Sequence, residues 1–239
     1  MKNLLIANRK RINDELGFDK RKYFSPATLS DSRVTPPLID QYARGKCIDV
    51  GCGDAPLREH ISAMTDCYHT LDIESRDDQP LTYVSSACDM KDVKDASYDF
   101  AVSFHVLEHV NNPFQAMAEI GRILKPGGVL ILSVPHLCRL HEEPHDYFRF
   151  TKYGLQHLAE CSELEVLSIT PTGGLFSFLG HQLSTLLLVP FWHIPVLKHL
   201  LFVINKYCIS HFFSFLDRKM DKNRIFALGY TCALRKKVT

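Results

Sequence analysis

The chain has no excess of either charge: 28 Lys and Arg stand against 27 Asp and Glu, a formal net charge of +1. The basic footprint that marks a nucleic-acid binder is therefore missing, and no nucleic-acid partner is expected. Nor is there a C-x-x-C pair among the eight cysteines at 47, 52, 67, 88, 138, 161, 208 and 232. Several of them fall in apolar runs, which predicts buried, reduced thiols of a cytoplasmic protein. Internal repeats and low-complexity tracts are absent. The opening MKNLLIANRKR has too short an apolar core for a signal peptide. At 239 residues the chain suffices for one sizeable domain that buries roughly 70–75% of its unfolded surface.

One motif is present without the context that makes it work. His141-Glu142-Glu143-Pro144-His145 satisfies H-E-x-x-H, in which two histidines one helical turn apart hold zinc. Pro144 has no N–H and its ring clashes with the preceding turn, while Glu143 before it is pushed toward extended geometry. A helix through both histidines is not expected, no third ligand follows downstream, and the protease reading is rejected.

Strand and helix patterns alternate along the chain. Residues 1–32 read as an N-terminal arm with one helix, and 33–239 as the main domain. Apolar runs at 47–50, 68–73, 81–87, 98–104, 129–134, 164–170 and 226–234 predict strands. Helical spacing is found at 57–64, at 113–124 with Pro113 at the favoured first position, and at 152–160 with Thr151 as N-cap. Alternating strands and helices predict a mainly parallel sheet covered on both faces. The segment 175–220 is apolar and helical in character and separates the last two strands.

In open α/β sheets ligands bind beyond the carboxyl ends of the strands. There, after the first strand, lies Asp49-Val50-Gly51-Cys52-Gly53-Asp54-Ala55-Pro56. Gly51 and Gly53 allow a sharp turn and a close approach to a ligand. A dinucleotide-binding turn would want glycine at 56, which is proline. Asp72 ends the second strand and is placed to accept hydrogen bonds from a ribose diol, with Ile73 beside it. A plain tight turn is the bland alternative.

The stretches CIDVGCGDAPL, YHTLDIES, CDM and YDFAVSFHVLEHVNNPFQAMAEIGRILKPGGVLILSVP, from about residue 46 to 135, resemble the class I S-adenosylmethionine-dependent methyltransferases, and in particular the group that includes the ubiquinone-type O-methyltransferases. A weaker likeness continues through DYFRFTKYGLQHL. The resemblance implies a Rossmann-like α/β fold: a seven-stranded, mostly parallel sheet with helices on both faces, its last strand antiparallel and a helical insertion before it. It implies S-adenosylmethionine as cofactor, with Asp49, Gly51, Cys52 and Gly53 at the methionine moiety, Asp72 at the ribose, Asp89 and Met90 at the adenine, and Ile73 among the cofactor-binding residues. The family's third glycine is Ala55 here, at a cost of roughly 1–2 kcal/mol if the position needs positive φ.

Two histidine-bearing stretches are candidates for chemistry. In His105-Val106-Leu107-Glu108-His109 the three polar groups stand at i, i+3 and i+4, and one carboxylate with two imidazoles would suit a divalent ion. The preferred reading has no metal: His105 lines the cofactor cleft, and Glu108 and His109 hold the loop by hydrogen bonds. In the loop after the fifth strand, His141, His145 and Asp146 are candidates for the general base, since an imidazole titrates near neutral pH. Tyr147, Phe148 and Arg149 would wall the acceptor site, Arg149 being suited to a carboxylate or phosphate. The alternative is a loop tied down by its own polar groups.

The expected function is methyl transfer, as O-methylation, to a small-molecule, sugar or lipid-linked acceptor. The rivals are a methyltransferase-fold binding protein without catalysis and an NAD-dependent oxidoreductase. Segment 175–220 contains a stretch, 183–204, that approaches membrane-spanning length, but a single crossing would separate the last two strands. It is expected to form a helical lobe, either at a homodimer interface or peripherally on the inner face of the membrane, with Trp192 as an interfacial anchor.

Overall fold

The computed structural model describes residues 2–75 and 80–238. Seven strands, β1 (Lys46–Val50), β2 (Cys67–Asp72), β3 (Tyr83–Val84), β4 (Tyr98–Phe104), β5 (Leu124–Pro135), β6 (Leu164–Thr172) and β7 (Gly229–Lys236), form one sheet in the order β3-β2-β1-β4-β5-β7-β6. The ladders β2–β3, β1–β2, β1–β4 and β4–β5 are parallel. β7 runs antiparallel against β5, pairing Val129 with Arg235 and Pro135 with Gly229. The strand order reverses between β1 and β4, so the binding crevice of this topology opens beyond Val50 and Phe104.

Side-chain alternation builds the two faces. Cys47, Phe100, Val102, Val129, Ile131 and Ala233 share one buried cluster, covered by Ile39, Leu57 and Ile61. Their strand neighbours Ile48, Val50, Ala101, Leu130, Leu132 and Leu234 are equally buried. A sheet dry on both faces is what near-continuous apolar strands encode, and each such aliphatic side chain contributes about 1.5–3 kcal/mol. The helix Pro113–Ile123 buries Ala116, Met117, Ile120 and Ile123 at three- and four-residue spacing, and Asn112 caps it by accepting from the Gln115 N–H at 3.1 Å.

The structure differs from expectation at the edges of this plan. The 81–87 run forms a strand only at Tyr83–Val84. The last strand starts at Gly229 rather than 226, because Ala227 closes a turn onto the Arg224 carbonyl. The arm, residues 2–32, contains three helices rather than one. One of them is announced by a capping box in which Ser25 and Thr28 exchange bonds of 3.0 and 3.3 Å. Of the cysteines, Cys138, Cys161 and Cys208 are exposed, while Cys47, Cys52 and Cys232 are buried.

The chain divides into two compact units. One comprises 35–170 and 229–239; the other joins 1–34 to 171–228. The second has its own core of Ile12, Leu16, Phe24, Leu188, Val189 and Trp192. Its polar seams are specific: the Asn205 amide donates to the carbonyls of Tyr23 and Phe24 at 2.8 and 2.9 Å. Asp217 accepts from the N–H groups of Phe176 and Ser177 at the start of helix Leu175–Leu188. Trp192 is 4% exposed and donates its indole N–H to Glu15. That position removes it as a membrane-interface anchor. The continuous helix Pro195–Met220 is long and apolar enough, by length and composition, to cross a membrane, yet β7 returns to lie between β5 and β6, which a single crossing would forbid.

Candidate active site

The turn after β1 is held open from below. The N–H groups of Gly51 and Cys52 both donate to the Leu71 carbonyl, at 2.7 and 3.2 Å. Gly51 and Gly53 have φ of +73° and +48°. A Cβ on Gly51 would overlap the Val106 side chain, whereas one on Gly53 would meet nothing within 4 Å. The first glycine is thus required by packing, and the second faces open space where a ligand can approach. Ala55 also adopts positive φ, +42°, so the missing third glycine carries a strain of about 1 kcal/mol.

Two acids, Asp49 and Asp72, stand at this turn, and a third, Asp89, follows β3. Asp49 is buried and accepts the Tyr68 hydroxyl in a short hydrogen bond. Desolvation pushes its carboxyl up to about 7, the Tyr68 bond opposing and the nearby Asp72 charge adding to the rise. Asp72, at the end of β2, accepts the Gly53 N–H at 2.8 Å and the Ile73 N–H at 2.7 Å, which ties the glycine turn to the strand end. Ile73 exposes its apolar side chain beside it. Cys52 turns its thiol into the interior, where burial raises it to about 12, so it serves through its backbone. Asp89 is half exposed and pairs with Lys91 at 2.7 Å. Met90 is fully buried, and its N–H donates to Glu119 at 2.8 Å. In this structure its side chain faces the interior and its N–H is engaged by Glu119.

Beyond β4 the chain makes a strained turn. His105 has φ +56° and donates its N–H to Ser133 on β5. A short 3₁₀ turn, Leu107–His109, follows. Glu108 is fully buried at its centre. Its carboxylate Oε1 lies 3.4 Å from His105 Nδ1, 3.8 Å from His109 Nε2 and 3.9 Å from His141 Nε2. The backbone carbonyl of Glu108 accepts from the N–H groups of Tyr147 and Phe148, which stitches the loop after β5 onto this turn.

That loop is irregular through 141–145, with Glu142 at φ +54°, so no helix aligns its two histidines. The Asp146 side chain is 2% exposed and bound through both oxygens by Arg149, at 2.6 and 2.7 Å, while also accepting the His141 N–H. The Arg149 bonds hold its carboxyl well below the usual range. Asp146 thus latches the loop to Arg149, which also donates to the carbonyls of Arg139 and Phe148. His145 is exposed and its Nδ1 stands 3.0 Å from the Tyr147 hydroxyl. Tyr68 and the Glu119–Arg122 pair, which fastens the 90–95 turn through the carbonyls of Met90 and Val93, were not legible as site residues. Only strand register and the folded turn bring them there.

This strand order, with one antiparallel strand and acids at the ends of β1 and β2, defines a class I S-adenosylmethionine-dependent methyltransferase fold. A family model described as "Methyltransferase domain" matches residues 13–167, and the chain belongs to that family. A Mycolicibacterium smegmatis protein named "Probable S-adenosylmethionine-dependent methyltransferase" is 32% identical over 89 residues, 36% of this chain and 35% of that protein. The dimethylglycine N-methyltransferase of Parasynechococcus marenigrum is 28% identical over 126 residues, 46% of this chain and 45% of the relative. The chain thus spans less than half the length of these curated relatives. Among solved structures, the [4+2]-cyclase SpnF superposes with a TM-score of 0.56 at 16% identity, covering 85% of this chain and 80% of that one. A Burkholderia thailandensis 1,6-didemethyltoxoflavin-N1-methyltransferase, solved with S-adenosylhomocysteine, gives 0.53 at 12% identity, covering 97% and 88%. These two likenesses show the fold alone.

The residues present fit the family's cofactor, S-adenosylmethionine. The open space over Gly53 admits it, and the Asp72 carboxylate at the same turn gives that space an acidic lining. Such a lining suits a sulfonium and an ammonium and would repel a pyrophosphate.

Proposed function

We propose that the chain transfers a methyl group from S-adenosylmethionine to a hydroxyl oxygen of a small-molecule, sugar or lipid-linked acceptor. When bound, the cofactor supplies a methyl group made electrophilic by its sulfonium sulfur. The turn from Asp49 to Gly53 receives the methionine portion, Asp72 the ribose hydroxyls, and Asp89 with the exposed face of Ile73 the adenine. His105, projecting from the strained end of β4, lines the same crevice. His145, exposed beside Tyr147, takes the acceptor proton as the new C–O bond forms, and S-adenosylhomocysteine leaves. The observation that carries this reading is the junction at Val106: the glycine turn packs directly on the segment whose next residues hold the imidazole cluster. An acceptor bound there meets both halves of the chemistry, and holding reactants in such geometry supplies up to about 7–11 kcal/mol. The test is incubation with the cofactor and cell extract, screening for masses raised by one methyl group. Stoichiometric cofactor binding with no such product would favour a binding protein on the same fold.

Asp72→Ala is expected to weaken S-adenosylhomocysteine binding by about 1–3 kcal/mol, the range for losing hydrogen bonds to a charged partner. The loss has two sources, because the same carboxylate positions Gly53. Calorimetry reads it directly, and an unchanged affinity would remove Asp72 from the site.

A partner is also proposed for the unit of 1–34 and 171–228. Leu186, Val196, Leu200 and Val203 are 53–84% exposed, a surface suited to peripheral contact with a phospholipid bilayer. The full-length protein is expected to float with anionic phospholipid vesicles, and Leu200→Glu with Val203→Glu to abolish flotation. Deleting the segment would instead strip Ile12, Leu16 and Phe24 of their packing partners. A non-floating protein that sediments as a dimer, and as a monomer with both charges, would assign the face to a second copy.

A further inference from the structure

Glu108 poses a chemical problem that the cofactor site does not solve. Its carboxylate is fully buried, and among the described residues no hydrogen-bond donor is placed to satisfy either oxygen. A buried polar group left in that state is costly and rare. The groups that face it are imidazole nitrogens whose protonation is constrained from behind. His109 Nδ1 lies 2.6 Å from the His145 carbonyl, which can only accept. The ring therefore donates there, and its Nε2 carries a lone pair toward Glu108. His141 Nδ1 is flanked by the Arg139 carbonyl at 3.3 Å and the Asp146 carboxylate at 3.5 Å, again acceptors, and its Nε2 likewise points a lone pair at Glu108. With both rings in that tautomer, two imidazole lone pairs and the carboxylate converge, and His105 Nδ1, 3.4 Å from the same oxygen, is the further nitrogen beside them.

We propose that Glu108, His109 and His141 bind a first-row divalent transition-metal ion. The ligand atoms of the three lie within 4.8 Å of one another, and the Nε2–Oε1 separations are 3.8 and 3.9 Å. Donors 2.0–2.2 Å from a tetrahedral ion stand roughly 3.3–3.6 Å apart, so a small inward rotation of the rings closes the set. Direct ion pairs between protonated imidazoles and Glu108 would instead bring nitrogen and oxygen to about 2.7–2.9 Å. The backing groups are those that orient metal-bound histidines: a backbone carbonyl behind His109 and a carboxylate behind His141. Two imidazoles with one carboxylate select zinc, iron, cobalt or their neighbours over magnesium and calcium. This assignment departs from the metal-free turn expected from sequence, and takes its second imidazole from His141 rather than His105. Because one ligand comes from the loop after β5, the ion would also fasten that loop to the 3₁₀ turn. Resting on the methyl-transfer reading, it would leave open positions at which an acceptor oxygen loses its proton more readily.

The experiment uses full-length protein stripped with chelator and titrated with Co²⁺, whose visible absorption reports nitrogen and oxygen ligands, and with Zn²⁺ by thermal shift. One equivalent is expected to bind and to raise the melting temperature. Glu108→Gln and His141→Ala should each weaken binding by at least 100-fold while retaining S-adenosylhomocysteine affinity. Glu108→Gln should also raise the melting temperature of the stripped protein, since a neutral amide replaces an unsatisfied carboxylate. Stripped wild type that binds S-adenosylhomocysteine but takes up neither ion would overturn the proposal, as would uptake equal to wild type in both variants. Loss of cofactor binding in unaltered protein would count against the methyl-transfer reading instead, because ion uptake is read without turnover.

Discussion

His145→Ala is expected to lower methyl transfer by about 10²–10⁴-fold, the contribution of a positioned general base, while leaving S-adenosylhomocysteine affinity near wild type. The choice among the three loop candidates follows from what each already does. Asp146 is clamped by Arg149. His141 turns its Nε2 toward Glu108. His145 alone of the three is exposed, held only through Nδ1 by the Tyr147 hydroxyl. Truncating its side chain keeps the backbone carbonyl that His109 uses, so the turn beneath should stand. Release of S-adenosylhomocysteine under single-turnover conditions measures the effect. A rate within threefold of wild type would take His145 out of the chemistry.

The second large effect is on stability. Asp49 has an ordinary carboxyl value of 3.8, and burial raises it to about 7 in the folded chain. Between those values the unfolded chain has released a proton that the folded chain keeps. The folded state then binds more protons, so Asp49 makes stability fall as pH rises through this window, and the deficit is complete above the folded value. Three units correspond to about 4 kcal/mol at most. Asparagine keeps an oxygen that can accept from Tyr68 and has no charge to bury. Asp49→Asn should therefore gain stability relative to wild type by about 2–3 kcal/mol more at pH 8 than at pH 5. Urea unfolding of both proteins at the two pH values checks it. A difference independent of pH would mean that Asp49 titrates as an ordinary carboxyl in the folded chain.

The parallel half of the fold was legible because its strands are short apolar runs that end on acids and are followed by capped helices. β4 begins and ends where its sequence pattern does, at Tyr98 and Phe104. The glycine turn was legible through Gly51 and Asp72, whose roles are local to strand ends. The engagement of Met90 was not legible, because nothing in its local sequence announces Glu119, a helix residue 29 positions on that takes its N–H. The clamp between Arg149 and Asp146 was not legible either, since sequence shows charge but not short-range pairing. The meeting of Glu108 and His141 depends on the path of the loop after β5, which no periodicity encodes. The arm was underestimated for a similar reason: helix Lys2–Glu15 has little amphipathic pattern, and the core around its Ile12 is completed by residues far along the chain, Leu188 and Trp192 among them.

The most direct single measurement is a calorimetric titration of the purified chain with S-adenosylhomocysteine, with NAD titrated in parallel. One site per chain for S-adenosylhomocysteine and no heat with NAD is the result that the acidic lining at Asp72 predicts. No binding of S-adenosylhomocysteine, or binding of NAD in its place, would contradict the assignment of the crevice beyond β1 and β4.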